Sequence, residues 1–184
     1  MNEPVPVAGP HAFREAVALL RRGRDVLLPG MELSLAEEIS LKDEAAARGR
    51  LVLGPGAQPG TLPPGSFGVV GVGAEATGRV LRLLALAGEG GRVLPVGARD
   101  LSAAVCGRST LQALVALDED PAVAVVVIAA ERPPPEVSEL LREAARRLET
   151  PVVSAAPGEE EAVLARFGLP VGPLAARPCS DRHP

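Results

Sequence analysis

The chain has 184 residues, of which 47% are hydrophobic, and a formal net charge of −4. This length allows one ordinary domain or two small ones. Three Phe and no Trp or Tyr disfavour a nucleic-acid module that stacks bases on aromatic rings, and the acidic balance offers no basic surface for DNA or RNA. The longest apolar run, residues 122–130, is too short to span a bilayer. The N-terminus lacks the pattern of a signal peptide, so we expect a cytoplasmic protein without nucleic-acid or membrane partners.

The first 54 residues alternate between short apolar runs and amphipathic stretches. Apolar residues recur at helical spacing from Phe13 to Leu20 and stop at Gly23, and Ser34 with Glu37 forms a capping-box pattern that opens a second helix. This alternation predicts a β-α-β-α-β unit, a partial Rossmann-like half. Its predicted strands are residues 5–8, 25–28 and 50–53.

Residues 54–66 contain four Gly and four Pro without an apolar period, which indicates a linker. We predict a linker over residues 55–66 between two lobes, a first lobe at 1–54 and a second lobe at 67–184. The second lobe is predicted to be a parallel α/β unit, with residues 122–130 as a central strand because both of its faces are apolar. Its other predicted elements are a strand from Phe67, a helix to Leu86, a strand at 92–96, a helix opened by a capping box at Ser109, a helix opened by prolines 133–135, a strand at 151–156 and a helix at 159–167 with solvated acids.

The strand, tight turn and helix at residues 67–86 predict a phosphate site. In parallel α/β folds, ligands gather at the carboxyl ends of strands, where helix N-termini offer free N–H groups to anions. The turn contains Gly71, Gly73, Ala74 and Glu75. Glu75 opposes anion binding because it adds a negative charge to the first turn of the helix.

A second candidate site follows the strand at 92–96. It contains Gly97, Arg99, Asp100, Ser102 and Arg108, and a guanidinium group there could bind a phosphate or carboxylate. The alternative is structural: the arginine and aspartate pair with each other, or cap the next helix.

The cysteines and histidines give no recognisable site. Cys106 and Cys179 do not form a disulfide framework, and with His11 and His183 they lack the spacing of a zinc site, so we predict no metal. We interpret Cys106 as a small buried residue. Neither histidine has a readable catalytic partner.

Three stretches carry a family resemblance: FREAVALLRRGRDVLLPG, SLAEEISLKDEAAARGRLVLGPG and VGARDLSAAVCGRSTLQALVALDEDP. Together they resemble the FdrA proteins, relatives of the succinyl-CoA synthetase alpha subunit. The resemblance implies a Rossmann-type CoA-binding domain followed by a flavodoxin-like CoA-ligase domain. It also implies CoA or a nucleotide as cofactor, companion subunits as partners, and acyl-CoA-synthetase or carbamoyl-transfer chemistry.

The chain departs from the family pattern at the sites that carry this chemistry. The family's early strands and Gly-rich CoA loop have no counterpart, and its Ser-Gly-Thr phosphate turn falls on Gly73, Ala74 and Glu75. The loop that holds the synthetases' phosphorylated histidine falls on residues 157–161, which contain no histidine. We therefore expect a truncated FdrA-like scaffold subunit with weak CoA or nucleotide binding and impaired catalysis. The alternatives are an active subunit completed by partner chains, or a purely structural subunit; a homo-oligomer is also possible.

Overall fold

A computed structural model describes residues 3–30, 33–57 and 60–169. It has an α/β fold built on two parallel sheets, as predicted. The elements are β1 (Val5–Pro6), α1 (Ala12–Arg21), β2 (Val26–Leu27), α2 (Leu35–Ala47), β3 (Val52–Leu53), β4 (Phe67–Val72), α3 (Ala74–Leu86), β5 (Gly91–Val96), α4 (Arg108–Asp118), β6 (Val125–Ala129), α5 (Pro135–Ala145), β7 (Val152–Ala155) and α6 (Glu160–Ala165). A short 3-10 turn, Ala98–Leu101, connects β5 to α4.

The first sheet has the order β1-β2-β3, with Val26 in register with Val5 on one side and Val52 on the other. The predicted capping box of α2 is confirmed. The Ser34 hydroxyl accepts a hydrogen bond from the Glu37 N–H at 3.3 Å, while the Glu37 carboxylate accepts one from the Ser34 N–H at 3.0 Å. These reciprocal bonds satisfy two N–H groups that the helix start would otherwise leave free.

The second sheet has the order β5-β4-β6-β7, so β6 is an interior strand, as its two-faced apolar character predicted. Every residue of β6 is buried. Val127 packs toward α3 and α6, whereas Val126 and Ile128 pack toward α4 and α5. Burial on both faces explains why this strand carries no polar residue.

One hydrophobic cluster, the shared core, spans the two sheets, and the first lobe also has a cluster of its own. Leu51 and Leu53, at β3, belong to the same buried cluster as Val70 of β4 and Leu94 of β5. The described part of the predicted linker is bonded to both lobes: the Gly56 N–H donates to the Gly30 carbonyl at 2.8 Å, and the Pro63 carbonyl accepts from the Gly91 N–H at 2.7 Å.

Two local predictions are wrong. Ser109 does not cap α4, because the helix begins at Arg108 with Gly107 as its N-cap, and Ser109 is buried inside the first turn. The acids at the start of α6 are not all solvated: Glu160 is only 5% exposed, and its carboxylate accepts a hydrogen bond from the Gly158 N–H at 2.6 Å. Within the described ranges, the helices are too short or too polar to cross a membrane.

Replacing Val126 with Asp should unfold the second lobe. Val126 is fully buried, and an unpaired buried charge costs about 3–5 kcal/mol. Denaturation in urea, followed by circular dichroism, measures the loss. Ser154→Asp is the matched control, because Ser154 is exposed on the neighbouring strand β7 and its change should cost less than about 1 kcal/mol. Equal midpoints for the two variants would contradict the central placement of β6.

Candidate functional site

The carboxyl ends of β4, β5 and β6 meet at one edge of the second sheet and enclose a cavity of about 430 Å³. Such an edge is where open α/β sheets bind ligands. The cavity is lined by the start of α3, by the turn after β5 and by the segment after β6. The lining residues are Val72, Gly73, Ala74, Glu75, Ala76, Ala98, Leu101, Ser102, Glu131, Arg132, Pro133 and Pro134.

The glycines of the β4–α3 turn are required by the backbone. Gly73 is the N-cap of α3 and has φ of +82°, a left-handed conformation that a serine adopts only with strain. A Cβ on Gly71 would meet the side chain of Thr77, whose hydroxyl donates to the Gly73 carbonyl at 2.6 Å. Since no side chain caps α3, its first N–H groups face the cavity edge without a side-chain acceptor.

The charge of Glu75 is paired within α3. Its side chain is 76% exposed and forms an ion pair with Arg79 on the next turn. The hydrogen bond that Arg79 donates to Glu75, together with the charge of Glu75, raises the pKa of the Arg79 guanidinium. The carboxylate that opposes anion binding therefore has a nearby cation that offsets part of its field.

Asp100 supplies the N-terminal cap that sequence analysis assigned to Ser109. Its carboxylate is fully buried and accepts hydrogen bonds from the Ser109 N–H at 3.0 Å, the Thr110 N–H at 2.8 Å and the Thr110 hydroxyl at 2.7 Å. An acceptor from the preceding turn satisfies the free N–H groups of α4 and places negative charge at its N-terminus. The contacts of Asp100 are those of a helix cap, which is one of the structural alternatives given above for this loop.

Lys42 connects Asp100 to the first lobe. It is the only lysine of the chain, and its side chain is fully buried in α2. Its ammonium group donates to Glu38 Oε1 at 2.6 Å and to Asp100 Oδ1 at 2.8 Å. Sequence analysis missed Lys42 and Glu38; the available signal was a lone lysine in a chain whose other basic residues are arginines.

The two candidate arginines also contact the first lobe. Arg99 Nη2 donates to the Leu33 carbonyl at 3.0 Å and lies 2.8 Å from Glu38 Oε2. Arg108 donates to Asp43 at 2.6 Å, and to the Val105 carbonyl within its own lobe at 2.6 Å.

The cavity therefore brings together only part of the predicted site. Gly73, Ala74, Glu75 and Ser102 line it. The other candidates lie outside its lining: Gly71, Gly97, Arg99, Asp100 and Arg108. That the nine residues bind a cofactor stays a prediction.

The remaining candidates lie apart from the cavity. His11 is exposed at the N-cap of α1. Cys106 is half-buried, not fully buried as interpreted, and packs against the shared core with φ of +58°. Cys179 and His183 fall outside the described residues. In the described ranges, no three His, Cys, Asp or Glu side chains cluster closely enough to hold a metal ion.

Comparison with known proteins identifies the fold. No family model matches the chain. It is 27% identical over 161 residues to the uncharacterized protein YahF of Escherichia coli, an alignment that covers 81% of this chain and 31% of YahF. A solved structure, the apo form of dinucleotide-forming acetyl-coenzyme A synthetase 1 from Ca. Korarchaeum cryptofilum, superposes with a TM-score of 0.52 at 16% identity.

This is a CoA-ligase-type fold. The superposition covers 89% of this chain and 38% of the synthetase, so the chain spans roughly a third of the length of each relative. The predicted Rossmann-like, CoA-ligase-type α/β fold is confirmed. At 16% sequence identity, the likeness shows the fold and gives no information on activity.

Replacing Lys42 with Met should destabilise the protein by about 3–5 kcal/mol, because it leaves the buried Asp100 carboxylate without a cation and leaves Glu38 with Arg99 alone. Urea unfolding at neutral pH measures the loss. Arg108→Met is the matched control: it breaks another contact between α2 and the second lobe, but Asp43 is 56% exposed and such a pair contributes about 0–1 kcal/mol. A Lys42→Met variant as stable as Arg108→Met would show that the buried network contributes little.

Proposed function

We propose that the chain is a CoA- or nucleotide-binding scaffold subunit, related to FdrA and the succinyl-CoA synthetase alpha subunit, with impaired catalysis of its own. The observation that carries this proposal is the cavity at the strand ends of a CoA-ligase-type fold. We expect it to bind companion subunits of the FdrA type or a second copy of this chain, and to be located in the cytoplasm.

The start of α3 offers chemistry suited to a phosphate. Its first N–H groups have no side-chain cap, and a helix of 13 residues concentrates about half a positive charge at its N-terminus. Arg132 lines the same cavity; its side chain is 78% exposed and pairs with Glu159, which a phosphate would have to displace or share. A phosphate of CoA or of a nucleotide would bind between these groups, with Glu75 weakening its affinity.

The lining offers little for catalysis. Its described residues include no His, Cys or Lys, so covalent catalysis by one of these nucleophiles has no candidate there. Glu131 and Glu75 are exposed carboxylates without the paired base and orienting group that acid–base work requires. Binding without independent turnover is the reading that these residues favour.

The alternative is an active subunit of an acyl-CoA synthetase or carbamoyltransferase complex that partner chains complete. The matched region covers only 38% of the synthetase, so most of that protein has no counterpart in the comparison. Turnover that appears only after companion subunits are added to the purified chain would favour this alternative.

CoA should raise the melting temperature of the purified chain. At a hundred times the dissociation constant, binding stabilises the native state by about 2.7 kcal/mol, which corresponds to several degrees for a chain of this size. A thermal-shift series with CoA, acetyl-CoA, ATP and carbamoyl phosphate tests the proposal. No shift with any of them at millimolar concentration would contradict it.

Glu75→Gln should strengthen CoA binding about two- to fivefold, because it removes an exposed like charge near the phosphate. Calorimetry of CoA binding measures the change. Glu89→Gln is the matched control: it removes the same charge just beyond the opposite end of α3, about 20 Å away along the helix. Equal affinities for the two variants would place the ligand elsewhere.

No phosphohistidine should form. The loop at residues 157–161 has no histidine, and His11 lies at the N-terminal end of a helix in the first lobe, away from that loop. Incubation with radiolabelled ATP or GTP, with and without companion subunits, should leave no acid-labile phosphate on this chain. Labelling that disappears in His11→Ala or His183→Ala would overturn the expectation of impaired catalysis.

A further inference from the structure

The turn at residues 97–102 lies between the first lobe and the cavity. On one side the first lobe holds it: Lys42 binds Asp100, and Glu38 Oε2 lies 2.8 Å from Arg99. The backbones also pack closely, since a Cβ on Gly97 would overlap the carbonyl oxygen of Pro55. The position of this turn is thus set jointly by α4 of its own lobe, which donates to Asp100, and by residues of the first lobe.

The other side of the same turn lines the cavity. Ala98, Leu101 and Ser102 lie along its wall, opposite the N-terminus of α3. The approach is close, because a Cβ built on Gly73 would lie 3.7 Å from the Ala98 side chain. A displacement of the turn toward or away from the first lobe would change the width of the cavity at the point where α3 begins.

The junction with the first lobe is not fully satisfied. Glu38 Oε2 is paired with Arg99 Nη2 at 2.8 Å, but Arg99 Nε is buried without a hydrogen-bond partner among the described residues, and a buried polar atom left unpaired weakens a contact. The contact between the first lobe and the turn is therefore less stable than it would be if every buried polar atom had a hydrogen-bond partner. A ligand that holds the turn from the cavity side would favour docking further.

We propose that ligand binding in the cavity and docking of the first lobe onto the turn at 97–102 are coupled, with Lys42 as the positioning residue. The inference rests on the proposed function, since it concerns the same cavity. If docking favours the shape that binds the ligand, the ligand favours docking to the same extent, because coupling between two equilibria is reciprocal.

Calorimetry with CoA on the full chain tests one direction of the coupling. Lys42→Met should bind CoA at least tenfold more weakly than the wild type. Leu20→Ala is the matched control: Leu20 is buried in the core of the first lobe, so its truncation destabilises that lobe without touching the turn, and its CoA affinity should equal that of the wild type. Equal affinities for all three proteins would overturn the coupling and leave the proposed function intact. A wild type that binds no CoA would overturn both.

Hydrogen exchange on the wild type tests the other direction and does not depend on a variant that folds. The amides of Ser109 and Thr110 donate to Asp100, so saturating CoA should slow their exchange severalfold. The Thr150 amide is the internal control, because it also donates to a carboxylate, Asp118 at 2.7 Å, but lies away from the turn. Bound CoA that leaves all three exchange rates unchanged, or slows them equally, would overturn the inference.

Discussion

A single buried ammonium group between two carboxylates organises this molecule. Lys42 pairs with Glu38 within its own helix and with Asp100 across the junction of the lobes, and Arg99 supplies the second positive charge to Glu38. Removing charges from water costs several kcal/mol per ion, and this cost is offset only where the partners are close and well oriented. Asp100 meets that condition by also accepting from the first turn of α4. The cap of one helix and the contact between two lobes are therefore one electrostatic unit.

The order of helices and strands could be predicted from sequence because it depends on local patterns. The apolar run at β6, the helical periodicity of α1 and the capping box at Ser34 each report on neighbours only a few residues away. The cap of α4 could not be found in this way. Ser109 and Gln112 form a capping-box pattern, but Asp100 occupies the position of the acceptor, and the lysine that pairs with it lies 58 residues earlier. Sequence spacing contains no information on such a contact.

The location of the candidate site follows from backbone topology, whereas the contacts of its side chains do not. Strand ends followed by Gly-rich turns predict a ligand site at this edge of the sheet, because that rule depends on backbone topology. The structure has a cavity there, and ligand binding at this edge stays a prediction. The roles of Arg99 and Arg108 could not be predicted from sequence, since both side chains form ion pairs with carboxylates of α2, 55 or more residues away along the chain. Gly73, which falls on a serine in the resemblance to the FdrA proteins, also has a backbone reason: at φ of +82°, this position favours glycine whatever the ligand. A lost hydroxyl is thus weak evidence of lost binding.

The shared core affects how the chain folds while it is being synthesised. Leu51 and Leu53 leave the ribosome before β4 and β5, the strands against which they pack. Until those strands arrive, the nascent first lobe has a sheet of three two-residue strands and an uncovered apolar edge, and exposed surface of this kind is prone to aggregation. The Lys42–Glu38 pair can form early, because both residues lie on one helix. Asp100, the other carboxylate that binds Lys42, is synthesised later. The edge of the first lobe at Leu51 and Leu53 is therefore covered only after the second lobe has been synthesised.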